Sequence, residues 1–533
     1  MNQGYDLGLA YAAARVAWKH FNDAGFNITV HRDQWLAKAR HIDEVREGSI
    51  YTDDTGQGLI KSPYGIMPRR IWDLKSNRVV EFRMLHSEVL ARQYPHGVID
   101  LEKAPPPPFW AITHSWTNDM SPVNTSINWY QWPTPLPRGL DLEHGVRREL
   151  LNKGSEYVWL DVLCLRQHST TNDNIKVNEW KLDVPTIGNI YRAAVGIARY
   201  FNGLGQAFSA TGWDDPRHWL CRAWTLQEIR SEITTYNAGI SCKTSTSGRR
   251  AHIIMNTESR VGGGVTTLRQ ALHPIIKLAA QVDSSSGCSV YELVRQMAKR
   301  HATQPTDKVA GLFYLLRTTQ LPTYDAGISD GDAWARCFHV LPFQRKIEIL
   351  FDFPYGADAP GPGCQWFPTW RQLMEWPERD PTYDHTVAIC RHASLQLAQP
   401  QKSEHLFVSD IWTISDVYFS KRNEGDENQI DIDIGDEVFG FYYPYVDQRP
   451  IELSASRRYT LVTTYPDHSY NWVVCESLGK RDETCTTLGG VVKMAEVESL
   501  RKLGVLRTDS SSEFVLGRGR KDSMLKRINA LFV

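Results

Sequence analysis

Phe109-Trp-Ala-Ile-Thr-His114-Ser115-Trp116-Thr-Asn-Asp119 is an apolar run that breaks into polar residues, the pattern of a buried strand ending in a loop. Tyr157-Val-Trp159-Leu-Asp161-Val-Leu-Cys164-Leu-Arg-Gln167 repeats that pattern, and residues 187–201 read as a helix running into a third strand. Strands alternating with helices predict an α/β fold built on a parallel, doubly wound sheet. Ligands of such sheets sit beyond the carboxyl ends of the strands. His114, Ser115, Trp116, Cys164 and Gln167 would all lie there.

Residues 219–228, Trp219-Leu-Cys-Arg222-Ala-Trp224-Thr-Leu-Gln-Glu228, add two tryptophans, an arginine and a carboxylate at helical spacing. On a helix, Trp219 and Arg222 lie three apart, while Trp224 and Glu228 lie four apart and share a face. A carboxylate beside an aromatic ring and a cation has the parts to hold and polarise a sugar or nucleotide. The same spacing also describes an amphipathic helix whose tryptophans pack inward while Glu228 pairs with Arg222.

The order of the blocks "AITHSW" (111–116), "YVWLDVLCLRQ" (157–167), "IYRAA" (190–194) and "WLCRAWTLQE" (219–228) resembles the fungal heterokaryon-incompatibility (HET) domain. Arg69-Arg70-Ile-Trp72-Asp73 through Val80 is similar to the lead-in of basidiomycete members. Residues 300–316 and Trp366-Phe-Pro368-Thr-Trp370 are similar to the segments downstream of the domain in its members. The resemblance covers roughly residues 68–375. It implies a core like that of Toll/interleukin-receptor (TIR) domains, a flavodoxin-like parallel sheet, and a role in non-self recognition or cell-death signalling. Several TIR proteins cleave NAD at the nicotinamide–ribose bond, and in plant members the catalytic glutamate ends a motif Trp-Cys-Leu-x-Glu. Trp224-Thr-Leu-Gln-Glu228 has that spacing with Thr225 in place of cysteine, so the resemblance implies Glu228 as the catalytic residue. The chain departs from the pattern at Trp116-Thr117, where many HET members have Trp-Gly, and it lacks the Arg-Gly pair common in TIR loops.

Cleavage of an N-glycosidic bond passes through an oxocarbenium-like state that a nearby carboxylate stabilises, directly or by holding the ribose hydroxyls. Nicotinamide leaves readily because it is cationic before the bond breaks, so one glutamate can suffice. Trp116 or Trp224 would stack on a base or on the nicotinamide ring, and Arg222 would meet a phosphate. Asp161 either holds a ligand hydroxyl, caps the next loop or pairs with Arg192. His114 is either a proton donor near the site or a hydrogen-bonded core histidine. Cys164 reads as a buried thiol rather than a nucleophile. The resemblance implies NAD or a related nucleotide as the substrate class, with no resident cofactor; no metal is expected, since no His/Cys/Asp/Glu cluster has metal spacing. Two other readings stand beside it: a non-catalytic signalling or interaction module that associates with its own copies, and a HET scaffold recruited for small-molecule biosynthesis.

A chain of 533 residues exceeds one hydrophobic core. We divide it into a helical segment at 1–67, with a helix at Leu9–Phe21, an α/β core at 68–266, a helical cap at 267–375 and a β-rich carboxy-terminal domain at 376–533. Within these, 202–217 and 241–266 read as loops, and Lys493–Leu503 reads as a closing helix followed by a basic tail. Asp431-Ile-Asp433-Ile-Gly-Asp436-Glu437 lacks the spacing of a calcium loop and reads as an acidic edge strand. A net charge of −1 supplies no electrostatic reason to bind nucleic acid or an anionic membrane. No apolar stretch approaches a membrane span, and nine scattered cysteines without a Cys-x-x-Cys pair suit reduced thiols in the cytoplasm.

Overall fold

The computed structural model describes residues 41–85, 107–228, 288–342 and 368–375 with isolated gaps, and some single positions from 270 to 353. It further describes the strands at 234–237, 258–261, 264–267 and between 406 and 532. The chain divides into two compact units, one made of 1–288 and 299–340, the other of 289–298 and 341–533.

The first unit begins with β1 (Ile50–Thr52) and β2 (Gly58–Lys61), an antiparallel pair. Two further strands, β3 (Arg70–Asp73) and β4 (Arg78–Glu81), form a hairpin. Its turn is set by Asp73, whose carboxylate accepts from Lys75 N and Ser76 Oγ at 2.9 Å each, and by Asn77 in the left-handed region at φ 55°. The chain continues through β5 (Trp110–His114), the hairpin β6 (Met120–Val123) and β7 (Thr134–Pro137), α1 (Arg148–Asn152) and β8 (Tyr157–Trp159). Next come α2 (Asp161–Cys164), α3 (Asp173–Asp183), α4 (Ile187–Ala193), β9 (Gly196–Tyr200) and β10 (Thr234–Asn237).

Six of these strands make one open sheet in the order β10-β9-β5-β8-β3-β4. β8, β5, β9 and β10 run parallel, whereas β3 is antiparallel to β8 and β4 to β3. The expected all-parallel sheet is thus corrected to a mixed one, because a tight hairpin at Lys75–Asn77 returns β4 beside β3 without a crossover helix. Every residue of β8 and β9 is buried, as is β5 from Ala111 to His114. This accounts for their continuous apolar runs, which strands covered on both faces require. Gly196 opens β9 opposite Trp110, and a Cβ there would lie 2.5 Å from the indole ring.

The short strand β13 (Gln320–Pro322) pairs with β2, completing a three-stranded antiparallel sheet with β1. Residues 50–52 and 58–61, expected within a helical segment, are therefore strands joined by a turn, while 41–47 hold the helical part. The Leu9–Phe21 helix lies outside the described residues. A hairpin, β11 (Glu258–Val261) with β12 (Gly264–Thr267), replaces part of the loop expected at 241–266. The expected cap also divides. Helices α6 (Thr306–Phe313) and α7 (Asp330–Val340) belong to the first unit, whereas α5 (Val290–Ala298) and α8 (Trp370–Glu375) belong to the second.

In the second unit α5 packs on α8, with Tyr291 stacked on Phe353 at 5.7 Å and Glu348 accepting from Val290 N at 2.9 Å. Seven strands, β14 (Leu406–Arg422), β15 (Gln429–Ile434), β16 (Glu437–Tyr442), β17 (Tyr459–Thr463), β18 (Trp472–Ser477), β19 (Thr484–Met494) and β20 (Leu525–Phe532), form a mixed sheet. The acidic strand β15 pairs with both β14 and β16, so it is not an edge. Lys493 and Met494, expected to open a helix, end β19, and part of the expected basic tail is β20. Both corrections have one cause: alternating residues far apart in sequence find partners only in the assembled sheet. Among the described residues, no helix is long and apolar enough to cross a membrane.

Candidate functional site

Residues 219–228 are not a helix. Two short 3₁₀ turns, Trp219–Cys221 and Trp224–Leu226, flank an extended Arg222 at φ −88°, ψ 138°. The backbone groups an α-helix would use go to distant partners instead. His301 N donates to Cys221 O at 2.6 Å, and Ala223 N donates to His301 O at 2.9 Å. Arg300 Nη1 donates to Arg222 O at 2.7 Å. The Thr225 hydroxyl also lies 2.7 Å from Trp219 O. Helical spacing is a weak constraint when tertiary hydrogen bonds satisfy the same groups.

This irregular path carries Glu228 to the carboxyl end of β5. There the Thr113 hydroxyl donates to Glu228 Oε2, and Trp219 Nε1 donates to Thr113 Oγ1 at 2.6 Å. Tyr191 of α4 donates to Ile112 O at 2.8 Å, and its hydroxyl also meets the Glu228 carboxyl. Glu228 reaches a residue two positions before Ser115, so both face the same strand end.

A second group lies beside this one. His114 Nε2 lies 2.7 Å from Asp161 Oδ1, and Trp116 Nε1 donates to Asp161 Oδ2 at 3.0 Å. Asp161, at the start of α2, spends its carboxylate on β5 and the adjoining loop; Val162 N also donates to Oδ1 at 2.7 Å. Gln167 Nε2 donates to Asp161 O at 3.3 Å and Leu165 O at 3.0 Å. The Ser115 hydroxyl lies 3.5 Å from Phe201 O. Trp116 is 37 % exposed and the Asp161 side chain 25 %, whereas Glu228 is 7 % exposed, so the Trp116–Asp161 pair is the outer edge and Glu228 the floor.

The electrostatics follow from burial. Removal from water lifts the Glu228 carboxyl to about 7, opposed by the Thr113 donor, with the Asp161 charge adding to the lift. Burial disfavours the His114 imidazolium, but the Asp161 carboxylate and the acceptors at Asp161 and Ser115 O outweigh it and hold its pKa above the usual value. Burial likewise works against the Asp161 carboxylate, yet His114 and the Trp116 donor keep it below the usual range. Arg199 and Arg300 are pushed down to about 10 by burial, with Glu228 opposing the fall in both. Arg199 lies over the Trp219 ring at 4.8 Å. Burial pushes the Cys164 thiol up to about 12, which suits a packed apolar thiol and not a nucleophile.

His114, Ser115, Trp116, Asp161 and Glu228 therefore come together, while Arg222 and Trp224 do not join them through any direct hydrogen bond. Arg222 Nη2 donates to Thr303 Oγ1 at 3.0 Å rather than pairing with Glu228. Trp224 meets Asp307 and lies 6.5 Å from the Tyr324 ring. The part of the expected cap that covers this side is 299–340, through Arg300 and α6. A small surface cleft lined by Thr306, Tyr324 and Arg336 among others lies in that segment rather than at Glu228. The Thr117 departure from the Trp-Gly pattern is matched across the site. Gly203 adopts φ +115°, and a Cβ there would lie 2.7 Å from Thr117 Cγ2.

Thr113, Tyr191, Arg199 and Arg300 were not among the candidates read from the sequence, and Trp219 was read only as part of the 219–228 pattern. A threonine inside an apolar strand was the one available signal, because a buried hydroxyl must find a partner. Among the described residues, no group of three or more His, Cys, Asp or Glu side chains is placed to hold a metal ion. No family model, no curated protein and no solved structure matches this chain.

Proposed function

We propose that the protein binds NAD or a related nucleotide at the carboxyl ends of β5 and β8 and hydrolyses its N-glycosidic bond, with Glu228 as the catalytic carboxylate. One observation carries this reading: Glu228, Asp161 and the His114–Trp116 stretch, from three segments, converge at one end of adjacent parallel strands. Counted in chain order, the parallel strands lie second, first, third, fourth, with β5 between β8 and β9. That order supports the flavodoxin-like, TIR-like core implied by the resemblance to HET domains, and the ends of such strands are where ligands of this architecture bind.

In this reading the Trp116 ring stacks on a planar base, and Asp161 with His114 orients it. The C1′–N bond breaks with its electron pair leaving on nicotinamide, Glu228 offsets the positive charge developing at C1′, and water completes the hydrolysis. A cationic nicotinamide ring beside Glu228 favours the ionised carboxylate, which is the form the chemistry needs. Incubation of the purified protein with NAD should release free nicotinamide. Glu228→Gln should lower that rate by about 10²-fold or more, as loss of one preorganised charge partner does elsewhere. Equal rates in the two proteins overturn the catalytic assignment.

The depth of Glu228 favours a second reading. At 7 % exposure, and bonded to Thr113, it also suits a non-catalytic module whose cluster only holds β5 to the 219–228 segment. Concentration-dependent self-assembly without turnover of any nucleotide would decide for that module, with non-self recognition or cell-death signalling in the cytoplasm as its setting.

A further inference from the structure

We propose that Thr113 is a positioning residue for Glu228, holding the carboxyl in one orientation with Oε2 as a hydrogen-bond acceptor. An indole N–H can only donate. Trp219 Nε1 therefore occupies a lone pair of Thr113 Oγ1, at 2.6 Å, and leaves the single hydroxyl proton for Glu228 Oε2. An ionised Glu228 can only accept, so in that state the direction of the chain Trp219 → Thr113 → Glu228 is fixed by chemistry rather than by choice of rotamer. A neutral Glu228 keeps this bond when its own proton sits on Oε1, the oxygen Thr113 does not address. Thr113 is fully buried on β5 and β-branched, so its hydroxyl has little freedom to turn away.

A donor to Oε2 favours the ionised form over the neutral one, so Thr113 also sets how readily Glu228 gives up its proton. Other charged or titratable groups act on the same carboxyl: His114 from β5, Asp161 from α2, Tyr191 from α4, Arg199 from β9 and Arg300. The positioning role itself is independent of the hydrolase reading. Its consequence for turnover rests on that reading.

The experiment is carbon NMR of the glutamate side-chain carboxyls in the full-length protein, with the Glu228 signal identified by its loss in Glu228→Gln. Thr113→Val keeps the shape and removes the donor, and should raise the Glu228 midpoint by about one pH unit or more. Thr113→Ser keeps the hydroxyl and should return it close to the parent value. If Thr113→Val fails to fold because the Trp219 indole is stranded, the double variant Thr113→Val with Trp219→Phe removes both partners and should show the same rise. A midpoint that stays in place in the valine variants overturns the inference. Nicotinamide release measured on the same proteins separates the two claims. A raised midpoint with no release from the parent keeps Thr113 as the positioning residue and overturns the hydrolase. With release, Thr113→Val should lose about fivefold at pH 7 for the first unit of midpoint rise, about tenfold for each further unit, and recover as the pH is raised.

Discussion

The two nitrogens of His114 both face oxygen acceptors: Asp161 Oδ1 lies 2.7 Å from Nε2, and Ser115 O lies 3.2 Å from Nδ1. A neutral imidazole can donate to only one of them, so the surroundings fit the doubly protonated ring. Replacement of the counter-charge, Asp161→Asn, should therefore lower the His114 titration midpoint. Stability at pH 6 should fall by about 1–3 kcal/mol, since Asp161 is partly open to water. Histidine NMR and urea unfolding check this, and an unchanged midpoint would contradict it.

Glu228 makes stability depend on pH in the opposite sense to an ordinary paired carboxylate. Its pKa is raised by burial from 4.5 to about 7, so the folded chain holds that proton more tightly than the unfolded one. The stability it contributes is complete below pH 4.5 and is lost as the pH rises through 7, to a total of about 3 kcal/mol. Glu228→Gln is neutral throughout. It should match the parent in urea at pH 5 and exceed it at pH 8; a less stable glutamine variant at pH 8 would count against a buried neutral acid.

Gly196→Ala tests the close approach of β9 to β5. The new Cβ would meet the Trp110 ring at 2.5 Å, and overpacking of this kind costs about 1–3 kcal/mol. Gly65→Ala, where nothing lies within 4 Å, is the control. Thermal unfolding should separate the two by several degrees.

Alkylation of the native protein should spare Cys164, which is buried and pushed up to about 12, and among the described cysteines should modify the partly exposed Cys221 before it. Peptide mass mapping after brief iodoacetamide treatment reads the order directly. Early modification of Cys164 would mean that the strand end opens more readily than its packing implies.

Several features were legible in the chain itself. Apolar runs at 110–114, 157–159 and 196–200 mark strands buried on both faces, because hydrophobic burial depends on residue type and needs no knowledge of partners. The polar breaks after them correctly place His114, Ser115, Trp116 and Asp161 near the carboxyl ends of neighbouring strands. The periodicity of 219–228 predicted a helix, and the segment is instead two short 3₁₀ turns about an extended Arg222 that carry Glu228, but not Arg222 or Trp224, to the strand end. Trp219, Arg222 and Thr225 bond to groups on β5 and at 300–303, more than seventy positions away, and no local pattern encodes such contacts.

What the sequence determined by itself is therefore the three buried strands β5, β8 and β9 and the polar residues at their ends, since both follow from local composition. Only the tertiary structure decided that β3 and β4 run against the parallel strands, that Arg222 turns to Thr303, and that Glu228 meets Thr113. The reason is physical. Strand direction and hydrogen-bond partners are settled by which distant groups satisfy one another once water is excluded, and that competition takes place only in the folded chain.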